Sequence, residues 1–176
     1  MAIKAPTSND TELSELMNDV KSGKLQLPEF QRSWTWDDNR LRGILASLSQ
    51  GYPMGAIMRL QYGNEDIKFK YRPIEGVKLS GIIPEYLALD GQQRLTSIYR
   101  STVSKDPVDT KTDKGKEIQR YYYLDINMCL DKDADRFDAV ISIPSDRKVK
   151  ANFDRDIVLD ISTRELEYKH EMFPLN

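Results

Sequence analysis

The stretch Leu87-Ala88-Leu89-Asp90-Gly91-Gln92-Gln93-Arg94-Leu95-Thr96 decides the fold class. An apolar strand stops at Asp90-Gly91, and a helix starts within the next few residues, carrying Leu95, Ile98 and Tyr99 on one side. Such a strand-to-helix turn leaves the first N–H groups of the helix unpaired. With the positive end of the helix dipole they form a natural anion site. Gly91 has no Cβ, so backbone there can approach a phosphate closely. Arg94 can add a bidentate contact to the same phosphate. Asp90 is placed to hold Mg²⁺ or to orient an attacking water. A plain structural reading also exists: Asp90 caps the helix, and Gln92, Gln93 and Arg94 are solvated residues of its first turn. No G-x-x-x-x-G-K-[ST] phosphate loop occurs in the chain.

Working outward, Leu13, Leu16, Met17 and Val20 repeat at helical spacing and predict a helix over residues 11–22. Asn9, Asp10 or Thr11 can cap it, and Gly23 can stop it. A short strand over 25–27 precedes Pro28. A second helix begins at Asp37 or Asp38, carries Leu41, Ile44, Leu45 and Leu48, and ends at Gly51 and Pro53. Runs 55–61 and 86–89 read as strands flanking a polar stretch, 63–81, with room for a hairpin. The helix after Arg94 runs over 95–103. Residues 101–117 are polar and read as an exposed insertion or mobile loop. Residues 120–127 (RYYYLDIN) read as a strong strand, with further strands at 140–143 and 157–161. Met172, Phe173 and Leu175 at the end of the chain should dock on the domain or lead into another. Helices and strands mix without regular βαβ spacing, so the expected class is α+β, not a doubly wound sheet.

A second polar cluster lies in Leu27-Pro28-Glu29-Phe30-Gln31-Arg32-Ser33-Trp34-Thr35-Trp36. Gln31 and Arg32 repeat the Gln-Arg pair of the first motif and can meet it across a cleft. Trp34 and Trp36 can anchor the entry to the second helix, or stack on a nucleobase beside an arginine. Arg40 and Arg42 can extend a positive rim or point to water.

Composition narrows the classes. The 176 residues carry 26 Lys and Arg against 28 Asp and Glu, a net charge of −2, which excludes a broad basic clamp on nucleic acid. Residues 1–105 hold 14 basic and 12 acidic side chains, and residues 106–176 hold 12 and 16. No apolar run approaches the roughly 20 residues of a membrane span, and MAIKAPTSND lacks the apolar segment of a secretory signal. A cytoplasmic protein is expected. Cys129 alone makes no internal disulfide, and with His170 as the single histidine a histidine metal site is out. The acidic run 131–138 lacks the glycine and closing glutamate of a calcium loop.

Taken together, LPEFQRSWTW (27–36), Gly51-Tyr52-Pro53-Met54-Gly55 and LDGQQRLTS (89–97) resemble the N-terminal domain of GmrSD-type restriction proteins, in the ParB/sulfiredoxin-like superfamily. The resemblance covers roughly residues 11–130. It implies a single domain over 1–176, a small mixed sheet with flanking helices, as the N-terminal part of a longer chain. A C-terminal HNH-type nuclease domain or partner subunit would follow. It further implies a nucleotide-hydrolysing sensor in defence against foreign or modified DNA. Asp90, Gln93 and Arg94, with Gln31 and Arg32, would be catalytic; Gly91, Gln92 and Trp36 would bind nucleotide; and Asp90 would hold Mg²⁺. The expected partners are a nucleoside triphosphate and DNA, with no membrane and with homo-oligomers left open. Two other readings stand beside this one. One is a DNA-binding sensor of a modified base or backbone that does not hydrolyse nucleotide. The other makes this domain itself a nuclease, which the lack of a dense carboxylate or histidine cluster disfavours.

Overall fold

In the computed structural model, which describes residues 8–63, 69–153 and 155–176, Leu16, Met17 and Val20 form the buried face of α1 (Leu13–Ser22). Glu12 takes the N-cap position without a side-chain bond, in place of the expected Asn9, Asp10 or Thr11. Gly23 ends the helix in the left-handed region, at φ +80°. All four residues of β1 (Leu25–Pro28) are buried, including Gln26, whose amide donates to Gly23 O and Ile82 O. Its neighbours leave β1 no solvent-facing side. α2 (Asp38–Ser49) begins at Asp37, whose carboxylate accepts the Arg40 N–H at 2.9 Å.

β1 lies inside a four-stranded sheet of order β2-β4-β1-β3. β2 is Arg59–Gln61, β3 is Tyr71–Arg72 and β4 is Tyr86–Ala88. β1 and β4 run parallel, while β2 and β3 are antiparallel edges. The hairpin expected within 63–81 does not form among the described residues there: β3 pairs with β1, and residues 64–68 lie outside the described part. From β4 the chain enters α3 (Gln92–Ile98), which continues as a π-helical turn, Tyr99–Val103. The Ser101 and Thr102 hydroxyls bond back to Ser97 O and Ile98 O, at 2.6 and 2.7 Å, where the ladder widens.

The reading of 101–117 as an exposed loop is corrected here. It contains β5 (Val108–Lys111), which pairs antiparallel with the start of β6 (Glu117–Asp125). Val108 is fully buried, and Ser101 and Thr110 are buried too. Their hydroxyls are satisfied by backbone carbonyls, so polar residues occupy interior positions without penalty.

Short helices α4 (Ile126–Leu130) and α5 (Arg136–Ala139) lead into β7 (Val140–Pro144), which pairs with β6. β8 (Lys148–Ala151) and β9 (Asp156–Asp160) form a separate hairpin. α6 (Arg164–Lys169) precedes β10 (Met172–Pro174), which adds to β6. The apolar end of the chain therefore docks, as one of the two expected outcomes. The result is an α+β arrangement. Ile44 and Leu48 of α2 touch both main core clusters, one under β1 and α3, the other under β5–β7. No helix among the described residues is long and apolar enough to cross a membrane.

The second core contains a titratable anchor. The Tyr122 hydroxyl is buried and donates to Asp38 Oδ1 at 2.8 Å, which also accepts from Ser142. Tyr123 donates to Glu167 Oε1 at 3.0 Å. Burial first, then these carboxylates, pushes both phenols above their usual value of 10.0. A raised folded-state pKa means stability that is present below the unfolded pKa and lost as pH rises past it. Stability against urea should therefore fall above about pH 10. Tyr122→Phe with Tyr123→Phe should flatten that alkaline limb; an unchanged slope would contradict this origin.

Candidate functional site

The two Gln-Arg elements lie against each other. Residues 31–36 run along the start of α3, and amides fasten the contact. Gln31 Nε2 donates to Leu89 O at 2.8 Å, and Gln92 Nε2 donates to Arg32 O at 2.6 Å. Gln93 uses both ends of its amide, accepting Thr35 N–H at 3.0 Å and donating to Ser33 O at 3.2 Å. The Trp34 indole N–H reaches Ser97 Oγ at 2.9 Å. A side-chain amide that both donates and accepts can replace a strand partner, which is why glutamines fit here.

The turn between them is built on glycine. Gly91, not Asp90, is the N-cap of α3, and its φ is +89°. A Cβ there would run into Ile57 Cδ1. The space freed by the missing Cβ is thus filled by Ile57 and does not open toward a ligand, which corrects the expected reason for the glycine. The turn is pinned from below by Met58 O, which accepts from Leu89 N at 2.8 Å. The N–H groups of Gln92, Gln93 and Arg94 have no acceptor among the described residues, since Leu95 makes the first helical bond, to Gly91 O.

Arg94 does not present a free fork. Its guanidinium donates to Met54 O and to Ala56 O (2.8 Å for the latter), and approaches Asp90 Oδ2 at 3.7 Å. It clamps residues 54–56 against the turn, and the strand expected over 55–61 is limited to Arg59–Gln61. Removing the fork leaves two carbonyls without charged donors, each bond worth about 1.5–3 kcal/mol when buried and less at this partly exposed site. Arg94→Lys should lower Tm by roughly 4–8 °C, from a loss of about 2 kcal/mol. A thermal melt unchanged by the substitution would show the clamp is dispensable.

Asp90 and Arg32 are different. The Asp90 side chain is 73% exposed. Arg32 is exposed, and its guanidinium has no hydrogen bond or ion pair among the described residues. Of the remaining arginines near the motifs, Arg40 is exposed beside Asp37 at 3.5 Å. Arg42 donates to Val140 O and Phe137 O and lies over the Phe137 ring. Arg100 holds Asp109 at 2.7 Å and sits 5.2 Å from the Trp34 ring centroid. The positive rim expected from Arg32, Arg40 and Arg42 therefore reduces to Arg32 and Arg40.

Trp36 makes no hydrogen bond to the turn. Its carbonyl accepts from Thr110 Oγ1 at 2.9 Å. It lines a cleft of about 620 Å³ with Trp34, Arg100, Asp109 and Gln119. Two parts of this region were not anticipated. Glu75 accepts from Trp34 N at 3.2 Å and Arg72 Nη1 at 3.0 Å, tying β3 to the 31–36 segment. The Pro73-Ile74-Glu75-Gly76 turn was the available signal, with buried Ile74 anchoring it. Of the Arg100–Asp109–Gln119 group, Asp109 fell in the stretch read as a loop, 101–117. The Gln119 amide holds the Asp109 carboxyl below the usual carboxylate range; burial opposes it, and Arg100 adds to the lowering.

Among the described residues no three or more His, Cys, Asp and Glu side chains gather as a metal site. A single carboxylate at Asp90 nonetheless fits Mg²⁺ arriving with phosphates, because that ion is held by one or two carboxylates plus substrate oxygens.

A family model described as the GmrSD restriction endonuclease, N-terminal domain, matches residues 13–172. An uncharacterized protein of Methanocaldococcus jannaschii is 30% identical over 175 residues, covering 96% of this chain and 29% of that protein. The chain thus spans under a third of the length of this relative. No solved structure matches.

Proposed function

Because the chain belongs to the family of GmrSD restriction endonuclease N-terminal domains, we propose that it is the nucleotide-binding and nucleotide-hydrolysing sensor of an antiphage, modification-dependent DNA restriction protein. One observation carries the reading. Gln31 and Gln92 bring both Gln-Arg elements to the same turn. There the Arg32 guanidinium and three helix N–H groups have no partner among the described residues, and the exposed Asp90 pairs only with Arg94, at 3.7 Å.

Phosphoryl transfer demands positioned charge more than covalent chemistry. The amides of Gln92, Gln93 and Arg94 take the phosphate oxygens, at the positive end of α3 and its π-helical continuation. Arg32 adds an exposed positive charge from the facing 31–36 segment. Arg94 acts at one remove, by fixing the 54–56 segment and the position of Asp90. Gln93 has both amide ends engaged, whereas the side-chain oxygen of Gln31, Oε1, has no partner among the described residues. Gln31 is therefore the glutamine that orients an attacking water. A Mg²⁺ ion brought in with the triphosphate would neutralise its charge, and Asp90 is the carboxylate that would hold it. DNA and a nuclease domain or subunit are the partners this reading assigns to the longer protein.

The test is direct. Purified chain with Mg²⁺ should release inorganic phosphate from at least one of the four common ribonucleoside triphosphates, and chelation should stop the release. No release from any of the four would overturn the hydrolytic reading.

A further inference from the structure

Nucleotide has a second end, and the fold offers it a place. The cleft between residues 34–36 and the β5–β6 hairpin measures about 620 Å³, and both tryptophans of the chain line it. Trp34 forms a fixed wall. Its indole N–H is bonded to Ser97, its backbone N–H to Glu75, and the Arg100 guanidinium lies over its ring. Trp36 is held only through its carbonyl, by Thr110; its indole has no hydrogen-bond, cation or ring partner among the described residues. It is half-buried with a polar edge beside it: Asp109, kept ionised by Gln119 and Arg100, and the exposed Gln119 amide. A planar heterocycle rimmed by donors and acceptors is the chemistry that matches an idle aromatic face next to such an edge.

The cleft also adjoins the turn. Thr35 lines it, and the Thr35 N–H bonds the side chain of Gln93 in the first turn of α3. Resting on the reading that residues 91–94 receive phosphates, we infer that the Trp36 cleft is the base subsite of the same nucleotide. Trp36 supplies the stacking face, and Asp109 and Gln119 meet the edge of the base.

The test compares Kd by calorimetry for non-hydrolysable imido analogues of the four common ribonucleoside triphosphates and for inorganic tripolyphosphate, all with Mg²⁺. One base stack corresponds to roughly 5- to 150-fold in affinity. The parent chain should bind its tightest analogue better than tripolyphosphate by a factor in that range. Trp36→Ala should bring the two ligands to parity while leaving tripolyphosphate binding unchanged, and Trp36→Phe should keep most of the preference. Gln119→Ala, on the opposite wall and exposed, should reduce the preference without touching the tryptophan. Equal affinity for analogue and tripolyphosphate in the parent overturns the base subsite and leaves the phosphate turn standing. A preference that survives both Trp36→Ala and Gln119→Ala overturns it as well. Analogue binding without any tripolyphosphate binding supports the cleft and removes the phosphate turn. Binding of neither ligand removes both.

Discussion

Arg32→Ala should reduce Mg²⁺-dependent phosphate release by roughly 10²–10³-fold, the scale of one lost charge-stabilising contact, while shifting Tm by no more than about one degree. The separation follows from which atoms of Arg32 the fold uses. Its backbone carbonyl receives Gln92 Nε2 at 2.6 Å and Arg72 Nη2 at 3.3 Å, and alanine keeps that carbonyl. The guanidinium is exposed and unpartnered among the described residues, so its removal leaves no buried group unsatisfied. Asp90→Asn should behave in the same way. It forfeits only an exposed pair with Arg94 at 3.7 Å, of a kind worth about 0–1 kcal/mol. Phosphate-release assays beside thermal melts check both. Parental turnover in both variants would remove these residues from the chemistry.

Gly91→Ala should act on the opposite quantity, stability. At φ +89° any L side chain is strained, costing about 1–2 kcal/mol. The added Cβ would also run into Ile57 Cδ1, and overpacking of that kind costs about 1–3 kcal/mol. A total of about 2–5 kcal/mol is a large part of the 5–15 kcal/mol that holds a typical domain. The melt should fall by roughly 4–20 °C. Adding Ile57→Ala should restore the packing share and not the backbone share, so a double-mutant cycle should show coupling between the two sites. Additive losses would mean that Ile57 does not set the glycine requirement.

The elements that position the site were legible where periodicity and punctuation agreed. The Leu41–Ile44–Leu45–Leu48 stripe behind Asp37 is helix α2, and the apolar run ending at Asp90-Gly91 is β4 entering α3. The meeting of Gln31 with the turn was also expected from the repeated Gln-Arg pair, and the amide bond to Leu89 O realises it. What remained hidden shares one physical cause: backbone carbonyls carry no sequence signature. Arg94 looked like a phosphate ligand because its acceptors, Met54 O and Ala56 O, are main-chain atoms about forty residues upstream. Arg42 looked like a surface charge for the same reason, its acceptors being Phe137 O and Val140 O. Residues 101–117 looked solvated because Ser101 and Thr110 are polar, yet each hydroxyl finds a carbonyl and is buried. Asp109, and with it a polar wall of the Trp36 cleft, was lost with that stretch.

The near-balanced charge of the chain reads differently once the arginines are placed. Arg42, Arg94 and Arg100 hold the fold together, and the motif region offers ligand chemistry through Arg32 and, beside Asp37, Arg40. A nucleotide needs little more than one mobile guanidinium and a cluster of amides, whereas duplex DNA affinity grows with the number of phosphates neutralised. That contrast favours nucleotide as the ligand of this module.

Backbone amide NMR during titration with a non-hydrolysable triphosphate and Mg²⁺ tests the central claim most directly. Saturable shifts should concentrate on the amides of Gln92, Gln93 and Arg94 and on Arg32, and Arg32→Ala should abolish them. Saturable binding that leaves those amides unmoved, or no binding at millimolar nucleotide, would contradict the account.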